Sequence, residues 1–268
     1  MMKPEDDGSP VAKWDPDATK SVIAWVRPIL KAWFRAEVRG LDRLPAGGAL
    51  VVSNHSGGLY AVDVPVFASE FYETFGYERP VYTLSNDIMF NKLTAEAFTR
   101  IGFIRASREN AAKALRAGGA VVVFPGGDYD AYRPTAVANT INFAGRKGYV
   151  RTAIETGAPI VPMVSIGAQE NQIFLTRGDW IAKLLGIKQK LGTNVLPITF
   201  GIPFGFNFVL PLNFPLPTKI VTQVLEPIHV SEMFGADPDI DDVDAHVRGV
   251  MQAALDRLAR ERRFPLLG

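Results

Sequence analysis

The chain contains no cysteine among its 268 residues, which excludes disulfide bonds, thiolate catalysis and zinc sites built on cysteine. Histidine is nearly as scarce, with only His55, His229 and His246. Neither sign of charge dominates, because 29 lysines and arginines are balanced by 28 aspartates and glutamates. Without an excess of positive charge, the protein is not expected to bind nucleic acid.

The motifs of several enzyme classes are missing as well. There is no Gly-x-Ser-x-Gly pentapeptide of serine hydrolases, no Gly-x-Gly-x-x-Gly and no Walker-type Gly-Lys-Ser/Thr. Ligands for a metal site are also lacking. We therefore expect neither a cofactor nor a bound metal ion.

Long apolar runs are absent too. No stretch of about 18 apolar residues free of charge and proline occurs. The acidic first ten residues, MMKPEDDGSP, lack the order of a secretory signal peptide. We expect a protein that is not exported and whose contact with a membrane is peripheral.

What is present suits one large folded domain, since 47% of the residues are hydrophobic and 21% are charged. We expect a flexible tail over residues 1–17 and a single domain over 18–268. The domain begins with an amphipathic helix near 20–38, whose apolar residues recur at helical spacing. This face packs on the core, as is usual for helices of this pattern, or lies in a membrane interface, which its tryptophans and the flanking Lys20, Arg27 and Lys31 also suit.

From residue 49 onward, short apolar runs alternate with helical patterns. Such alternation is typical of crossover connections between parallel strands, so we predict an α/β fold with a mostly parallel central sheet flanked by helices. The predicted strands are Ala49–Ser53, Val81–Leu84, Gly102–Ile104, Ala120–Phe124, Ile160–Val164 and Ile220–Leu225. The predicted helices cover 62–73, 91–100, 107–117, 146–156 and 243–263.

Residues 194–217 carry no charge and are rich in phenylalanine, leucine and proline. Five prolines exclude a regular helix here. The segment is either a loop over the core or an apolar surface that faces lipid. Lysines border it and favour the second alternative, because they can contact anionic headgroups. They are Lys183, Lys188, Lys190 and Lys219.

The residues Ser53-Asn54-His55-Ser56-Gly57-Gly58, followed by Asp63, form the most informative stretch. A predicted strand ends here in a polar, glycine-rich turn. Ligands of α/β proteins bind at the carboxyl ends of strands, and glycines there allow backbone amides to approach a substrate closely. His55 is therefore placed like a catalytic group, whereas His229 and His246 have no comparable neighbours.

This stretch resembles the first motif, Asn-His-x4-Asp, of the PlsC-type glycerolipid acyltransferases. Three further motifs follow in the order and spacing of that family, across roughly residues 45–170. They are Gly102-Phe103-Ile104-Arg105-Ala106-Ser107-Arg108, Val123-Phe124-Pro125-Gly126-Gly127 and Ala158-Pro159-Ile160-Val161-Pro162.

The chain departs from the family pattern at two places. Seven residues instead of four separate His55 from Asp63, and Tyr60 occupies the usual position of the aspartate. Gly126 replaces the glutamate of the third motif. The resulting Pro-Gly-Gly, together with Gly145-Arg146-Lys147-Gly148-Tyr149, resembles the branch that contains the second type of diacylglycerol acyltransferase.

The resemblance implies roles for particular residues. His55 would remove the proton of an acceptor hydroxyl, while Asp63 would hold the imidazole and stabilise its charged form. The backbone amides of Gly126 and Gly127 would bind the developing oxyanion, and either Arg105 or Arg108 would bind phosphate. Further substrate-binding residues would be Asn54, Gly57, Gly58, Pro125, Asp128 and Arg133.

The implied function is direct transfer of a fatty acyl group, from acyl-CoA or acyl carrier protein, to a lipid hydroxyl at the cytoplasmic face of a membrane. The two carboxylates of Asp128 and Asp130 would repel a phosphate-bearing acceptor, so an uncharged acceptor is predicted. Arg133 complicates this inference, because it could pair with either carboxylate or reach an anionic headgroup itself. The alternative function is a non-catalytic protein of the same fold that binds or carries lipid.

Overall fold

A central sheet of seven strands organises the protein, which a computed structural model describes for residues 9–187, 189, 193–208 and 210–264. Three further strands, β7 to β9, form a second sheet. In chain order the described strands are β1 (Glu37–Arg39), β2 (Ala49–Ser53), β3 (Val81–Ser85), β4 (Phe103–Arg105), β5 (Ala120–Val123), β6 (Ile160–Ile166), β7 (Ile173–Thr176), β8 (Ile198–Gly201), β9 (Gly205–Asn207) and β10 (Val221–Val224). The helices are α1 (Pro16–Trp33), α2 (Asp63–Phe75), α3 (Ala95–Arg100), α4 (Arg108–Arg116), α5 (Gly127–Ala131), α6 (Gly148–Thr156), α7 (Asp179–Leu184), α8 (Val230–Phe234) and α9 (Ile240–Glu261).

The strand order in the main sheet is β1-β10-β6-β2-β5-β3-β4. β6, β2, β5, β3 and β4 run parallel, whereas β10 is antiparallel to β6 and β1 is parallel to β10. The predicted α/β class with a mostly parallel sheet is therefore confirmed. All five residues of β2 are buried, as expected for the central strand of a sheet covered on both faces.

Helices cover both faces of this sheet. Side chains from α4, α6 and α9 form one core with every second residue of β2, namely Leu50 and Val52, which point to the same face of the sheet. Ile23 of α1 and Phe67 and Phe71 of α2 pack on the other face. Successive side chains of a strand point to opposite faces of the sheet, so each short strand contributes side chains to both cores.

The start of the chain differs from the predicted flexible tail. Val11 is buried, and its carbonyl accepts a hydrogen bond from the Tyr82 hydroxyl at 2.8 Å. The Asp15 side chain caps α1 by accepting from Asp17 N and Ala18 N, and Pro16 occupies the first helical position. The tail prediction is thus wrong for residues 9–17, while residues 1–8 lie outside the described part of the chain.

The first helix is also shorter than its apolar pattern predicted. α1 ends at Trp33, and Val38 belongs to the edge strand β1. Leu30 is buried, whereas Trp25, Ile29 and Trp33 are exposed. The helix therefore packs only one side on the core and leaves apolar side chains at its surface.

The uncharged segment 194–217 contributes to a small second sheet rather than to a loop over the core. In this sheet β8 pairs with β7 and with β9 in antiparallel fashion. Residues 167–219 connect the end of β6 to the start of β10, and both of these strand ends lie at the carboxyl edge of the parallel strands. The second sheet is consequently attached to the edge at which β2 ends.

Candidate active site

His55 lies two residues beyond the last residue of β2, between the carboxyl ends of β5 and β6. Polar segments that follow all three strands therefore meet around it. Its ring packs against the ring of Phe124, with 4.4 Å between the centroids. The side chain of His55 is 18% exposed, so a substrate can reach it, whereas that of Asp63 is 1% exposed.

His55 and Asp63 are brought together as the sequence predicted. His55 Nδ1 lies 3.3 Å from Asp63 Oδ2. The same carboxylate accepts hydrogen bonds from Ser56 N at 2.8 Å and from Ser56 Oγ at 3.0 Å. Because Asp63 contacts the δ nitrogen, the ε nitrogen of the imidazole is the one that remains for a substrate hydroxyl.

The three extra residues between His55 and Asp63 form a short 3₁₀ turn, Gly58–Tyr60. After this turn α2 begins at Asp63, which places the carboxylate in its first turn and beside His55. Tyr60 replaces the usual aspartate in sequence only, since its hydroxyl donates to Asn213 O at 2.7 Å. The altered spacing is thus accommodated without loss of the His–Asp contact.

Each residue from Asn54 to Gly57 is held by a side-chain hydrogen bond. The Asn54 amide donates to Ser165 O at 2.9 Å and accepts from Ser165 N at 2.8 Å. Gly57 N donates to Gln169 Oε1 at 3.2 Å. Asn54 is fully buried, so it fixes the segment to β6 rather than contacting a substrate.

A buried ion pair holds His55 itself from the β5 side. His55 N donates to Asp130 Oδ2 at 2.6 Å, and Arg133 Nη1 donates to His55 O at 2.9 Å. Arg133 also pairs with the other oxygen of Asp130, and both residues are almost completely buried. The expectation that Arg133 contacts an acceptor headgroup does not fit this position.

Asp128 has a different partner. Arg146 Nη2 lies 3.0 Å from Asp128 Oδ1, and Thr193 Oγ1 donates to Asp128 Oδ2 at 3.0 Å. Burial raises the pKa of the Asp128 carboxyl, but these two hydrogen bonds, the charge of Arg146 and a hydrogen bond from Tyr129 N together outweigh burial, and the net shift is downward. Because Asp128 and Asp130 each pair with an arginine, the predicted repulsion of a phosphate-bearing acceptor loses its basis.

The Pro125-Gly126-Gly127 segment forms a turn into α5. Gly127 N donates to Phe124 O at 3.0 Å, and Arg146 Nη1 donates to Gly126 O at 2.8 Å. The Gly127 amide is therefore used in the turn and does not fit the predicted role of an oxyanion donor. Gly126 stays the candidate donor of this segment.

Gly58 is required by packing. It has a φ of +59°, and a Cβ there would lie 2.8 Å from Phe174 Cζ and 3.0 Å from Tyr132 Cε1. Any side chain would displace these aromatic rings or the turn before α2. The turn and the rings packed against it thus explain the glycine at position 58, without a direct contact with substrate.

The acyltransferase family model matches residues 35–166. An uncharacterized protein of Mycobacterium leprae (strain TN) is 30% identical over 262 residues, which cover 95% of this chain and 69% of that protein. The chain belongs to the acyltransferase family.

Two further similarities concern the family branch and the fold of this acyltransferase. Diacylglycerol O-acyltransferase 2-like protein 6 of Mus musculus is 27% identical over 244 residues, covering 84% of this chain and 71% of that protein. The crystal structure of the 1-acyl-sn-glycerophosphate acyltransferase PlsC from Thermotoga maritima matches with a TM-score of 0.54 and 17% identity, over 90% of this chain and 82% of that chain. The resemblance to PlsC-type enzymes, with features of the diacylglycerol acyltransferase branch, is confirmed.

The two arginines of the second motif lie away from His55 in this acyltransferase. Arg105 ends the edge strand β4, where it contacts Asp87 Oδ1 at 2.6 Å and Phe90 O at 3.3 Å. Arg108 is exposed at the start of α4. β4 is three strands from β2, or roughly 14 Å at the usual spacing, so these arginines do not take part in the geometry around His55.

Sequence reasoning missed the supporting residues of the site. Asp130 and Gln169 hold His55 and Gly57, yet Asp130 was predicted only as a carboxylate that faces the acceptor, and Gln169 was given no role in the site. Both follow the carboxyl ends of the strands on either side of β2. Their position after neighbouring strands was a usable signal, but the strand order that makes them neighbours is set by tertiary structure.

Proposed function

We propose that the protein transfers a fatty acyl group from acyl-CoA or an acyl carrier protein to a lipid hydroxyl at a membrane surface. The observation that carries the proposal is the contact between a partly exposed His55 and a buried Asp63 at the carboxyl end of the central strand. This arrangement suits a neutral imidazole that removes the hydroxyl proton during attack on the thioester.

The reaction needs no covalent acyl-enzyme in this scheme. The acceptor oxygen forms a bond to the thioester carbon, its proton passes to the ε nitrogen of His55, and the bond to the thiolate breaks. The proton then goes to the leaving sulfur. Asp63 supports the charged imidazole while it carries the proton, and the Gly126 amide is the candidate donor to the oxyanion.

The second candidate function, a lipid-binding protein without catalysis, is favoured by the loss of the third-motif glutamate at Gly126. A binding protein, however, has no need of a base with an oriented tautomer. The His55–Asp63 contact therefore favours the enzyme.

We expect the acceptor to be an uncharged mono- or diacylglycerol. The support is now the 27% identity to the mouse diacylglycerol O-acyltransferase 2-like protein 6, since the carboxylates near the site are paired. The test competes diacylglycerol and lysophosphatidic acid at equal concentration in one assay with acyl-CoA, with products separated by mass spectrometry. A higher specificity constant for lysophosphatidic acid would overturn the choice of acceptor, and no product from either would favour the binding protein.

We further propose that the second sheet docks the enzyme on the bilayer. The apolar hairpin surface, defined by seven side chains, projects from the same edge of the main sheet as His55. Its members are exposed and apolar: Phe200, Ile202, Phe204, Phe206, Phe208, Leu210 and Phe214. A group of exposed apolar side chains within one hairpin region is typical of contact with protein or lipid.

Trp33 extends this surface toward α1, because its Nε1 donates to Pro215 O at 3.0 Å. Among the bordering lysines, Lys183 is exposed and Lys219 lies 3.6 Å from Glu37, while Lys188 and Lys190 fall outside the described residues. No helix in the described part of the chain is long and apolar enough to cross a bilayer. The proposed contact is made by the exposed side chains of the apolar hairpin surface.

Phe204→Glu together with Phe206→Glu is expected to weaken binding to liposomes at least about 10-fold, because each phenylalanine contributes roughly 2 kcal/mol when it is buried in lipid. The measurement is co-sedimentation with phosphatidylcholine vesicles, with and without phosphatidylserine. The matched control is Ile154→Glu with Met233→Glu, two exposed apolar residues on α6 and α8. Equal sedimentation of the wild type and the Phe204/Phe206 variant, with unchanged circular dichroism, would contradict the proposal.

A further inference from the structure

The backbone of His55 is held on both sides by one buried ion pair. Asp130, near the end of α5, accepts the His55 N–H at 2.6 Å, and Arg133 donates to the His55 carbonyl at 2.9 Å. Arg133 is fixed in turn, since its Nε donates to Ala138 O at 2.8 Å and its carbonyl accepts from Gln169 Nε2 at 2.5 Å. The segment that carries the base is therefore attached to two neighbouring post-strand segments.

Both members of the pair are almost completely buried. Asp130 is 1% exposed and Arg133 is 3% exposed, whereas the His55 side chain on the other side of the same backbone is 18% exposed. Burying an ion pair costs desolvation energy that its attraction often does not recover, so stability alone is a poor reason for its presence here.

We propose that Asp130 and Arg133 are positioning residues, which fix the backbone of His55 and keep the charge beside its imidazole balanced. The inference rests on the proposed role of His55 as the base. It adds that the ion pair sets both the direction of the imidazole and the balance of charge that the imidazole faces.

The charge balance follows from the groups that face His55. Asp63 approaches from α2, Asp130 from α5 and Arg133 from the segment after α5. Two carboxylates alone would strongly favour the imidazolium, which cannot act as a base. The positive charge of Arg133 cancels that of Asp130, so Asp63 remains the one uncompensated carboxylate of these three groups.

The geometry requires an ionised Asp130. Burial raises the pKa of its carboxyl, and the adjacent Arg133 opposes that shift. Both carboxylate oxygens face N–H donors, one from His55 and one from Arg133, and neither faces an acceptor for a carboxyl proton. The ionised form is thus the one that satisfies the observed hydrogen bonds.

The test uses Asp130→Asn and Arg133→Gln, which keep the approximate shape of each side chain and remove its charge. Each is expected to lower kcat about 10-fold with KM within about 2-fold, because a displaced base affects the transition state more than binding. Asp130→Asn should move the acid side of the pH–kcat profile to lower pH by at least about 0.5 unit, since the remaining Arg133 disfavours the imidazolium. Arg133→Gln should move it in the opposite direction.

The combined Asp130→Asn/Arg133→Gln variant distinguishes charge from position. Neither charge remains, so the pH profile should return toward that of the wild type while kcat stays low. Arg133→Lys serves as a further check, because it keeps the charge but cannot make all of the hydrogen bonds of the guanidinium. It should lower kcat without moving the pH profile, and it remains informative if Asp130→Asn does not fold.

A titration of the histidine Cε1–H signals by NMR tests the same inference without turnover. The chain has three histidines, and the signal that disappears in His55→Ala identifies His55. Its midpoint should move downward in Asp130→Asn and upward in Arg133→Gln. This result can be obtained even if no acyl transfer is detected, so failure of the proposed function and failure of this inference are distinguishable.

The matched control is the ion pair of α9, in which the partly exposed Arg248 Nε lies 2.8 Å from Oδ2 of the buried Asp244. Asp244→Asn and Arg248→Gln should leave the His55 midpoint and the pH profile unchanged, whatever they do to the melting temperature. The proposal is overturned if Asp130→Asn leaves the midpoint unchanged, or if the two single variants move it in the same direction.

Discussion

His55→Ala is expected to lower acyl transfer at least about 100-fold, which is the usual contribution of a general base. The expected loss follows from geometry, since the imidazole is the partly exposed basic group at the carboxyl end of β2 and is oriented through its δ nitrogen by Asp63. The fold should persist. Asp63 keeps its hydrogen bonds from Ser56 N and Ser56 Oγ, and the backbone bonds of residue 55 to Asp130 and Arg133 do not involve the ring.

The measurement compares initial rates of the purified wild type and variant with acyl-CoA and a panel of glycerolipids, alongside their melting temperatures. His229→Ala is the matched control, because His229 is about half exposed and its only charged neighbour among the described residues is Glu232 at 3.9 Å. The control should retain wild-type activity. Near wild-type turnover in His55→Ala would exclude the mechanism, whatever the identity of the acceptor.

Asp63→Asn is expected to be milder than His55→Ala, with a loss of about 10-fold to 100-fold. An asparagine can place its carbonyl oxygen where Oδ2 stands, so that it still accepts from His55 Nδ1 and Ser56 N, with its NH₂ directed at Ser56 Oγ. The useful tautomer of His55 is then kept. What is lost is the negative charge that stabilises the imidazolium in the transition state. The loss of activity is far larger in enzymes where such a substitution also reverses the tautomer of the histidine.

Asp63→Ala separates these contributions. It removes the acceptor of the buried Ser56 N–H, which costs about 1 to 3 kcal/mol and should lower the melting temperature by several degrees. Rates and melting curves of both variants, measured side by side, check the expectation. An activity of Asp63→Asn equal to that of the wild type would show that the carboxylate charge plays no part in catalysis.

Much of the fold could be predicted because the strands are short, apolar and centrally buried. β2 matches its predicted bounds, and the other predicted strands of the main sheet differ by no more than a few residues. The errors arose where periodicity is ambiguous. The apolar pattern of α1 continues through Val38, which belongs to β1, and Val11 looks like part of a tail but is buried by contacts distant in sequence.

The candidate site could be predicted only in part, for a related reason. His55 and Asp63 lie eight residues apart, so their proximity follows from a local turn and the start of α2. Asp130, Arg133 and Gln169 reach the same segment from up to about 110 residues away, because β5 and β6 flank β2. Charge arguments from sequence fail for the same reason, since only the fold shows that Asp130 pairs with Arg133 and Asp128 with Arg146.

The central claim, transfer of an acyl group to a lipid hydroxyl, is tested most directly by measuring free thiol and new ester in the same reaction. The purified wild type would be incubated with acyl-CoA and diacylglycerol in vesicles. Free thiol would be measured with a colorimetric thiol reagent and ester by mass spectrometry. Acyl transfer through His55 predicts that thiol and ester appear in equal amounts and that both fall together in His55→Ala. Release of thiol with free fatty acid and no ester, or ester formation that persists in His55→Ala, would contradict it.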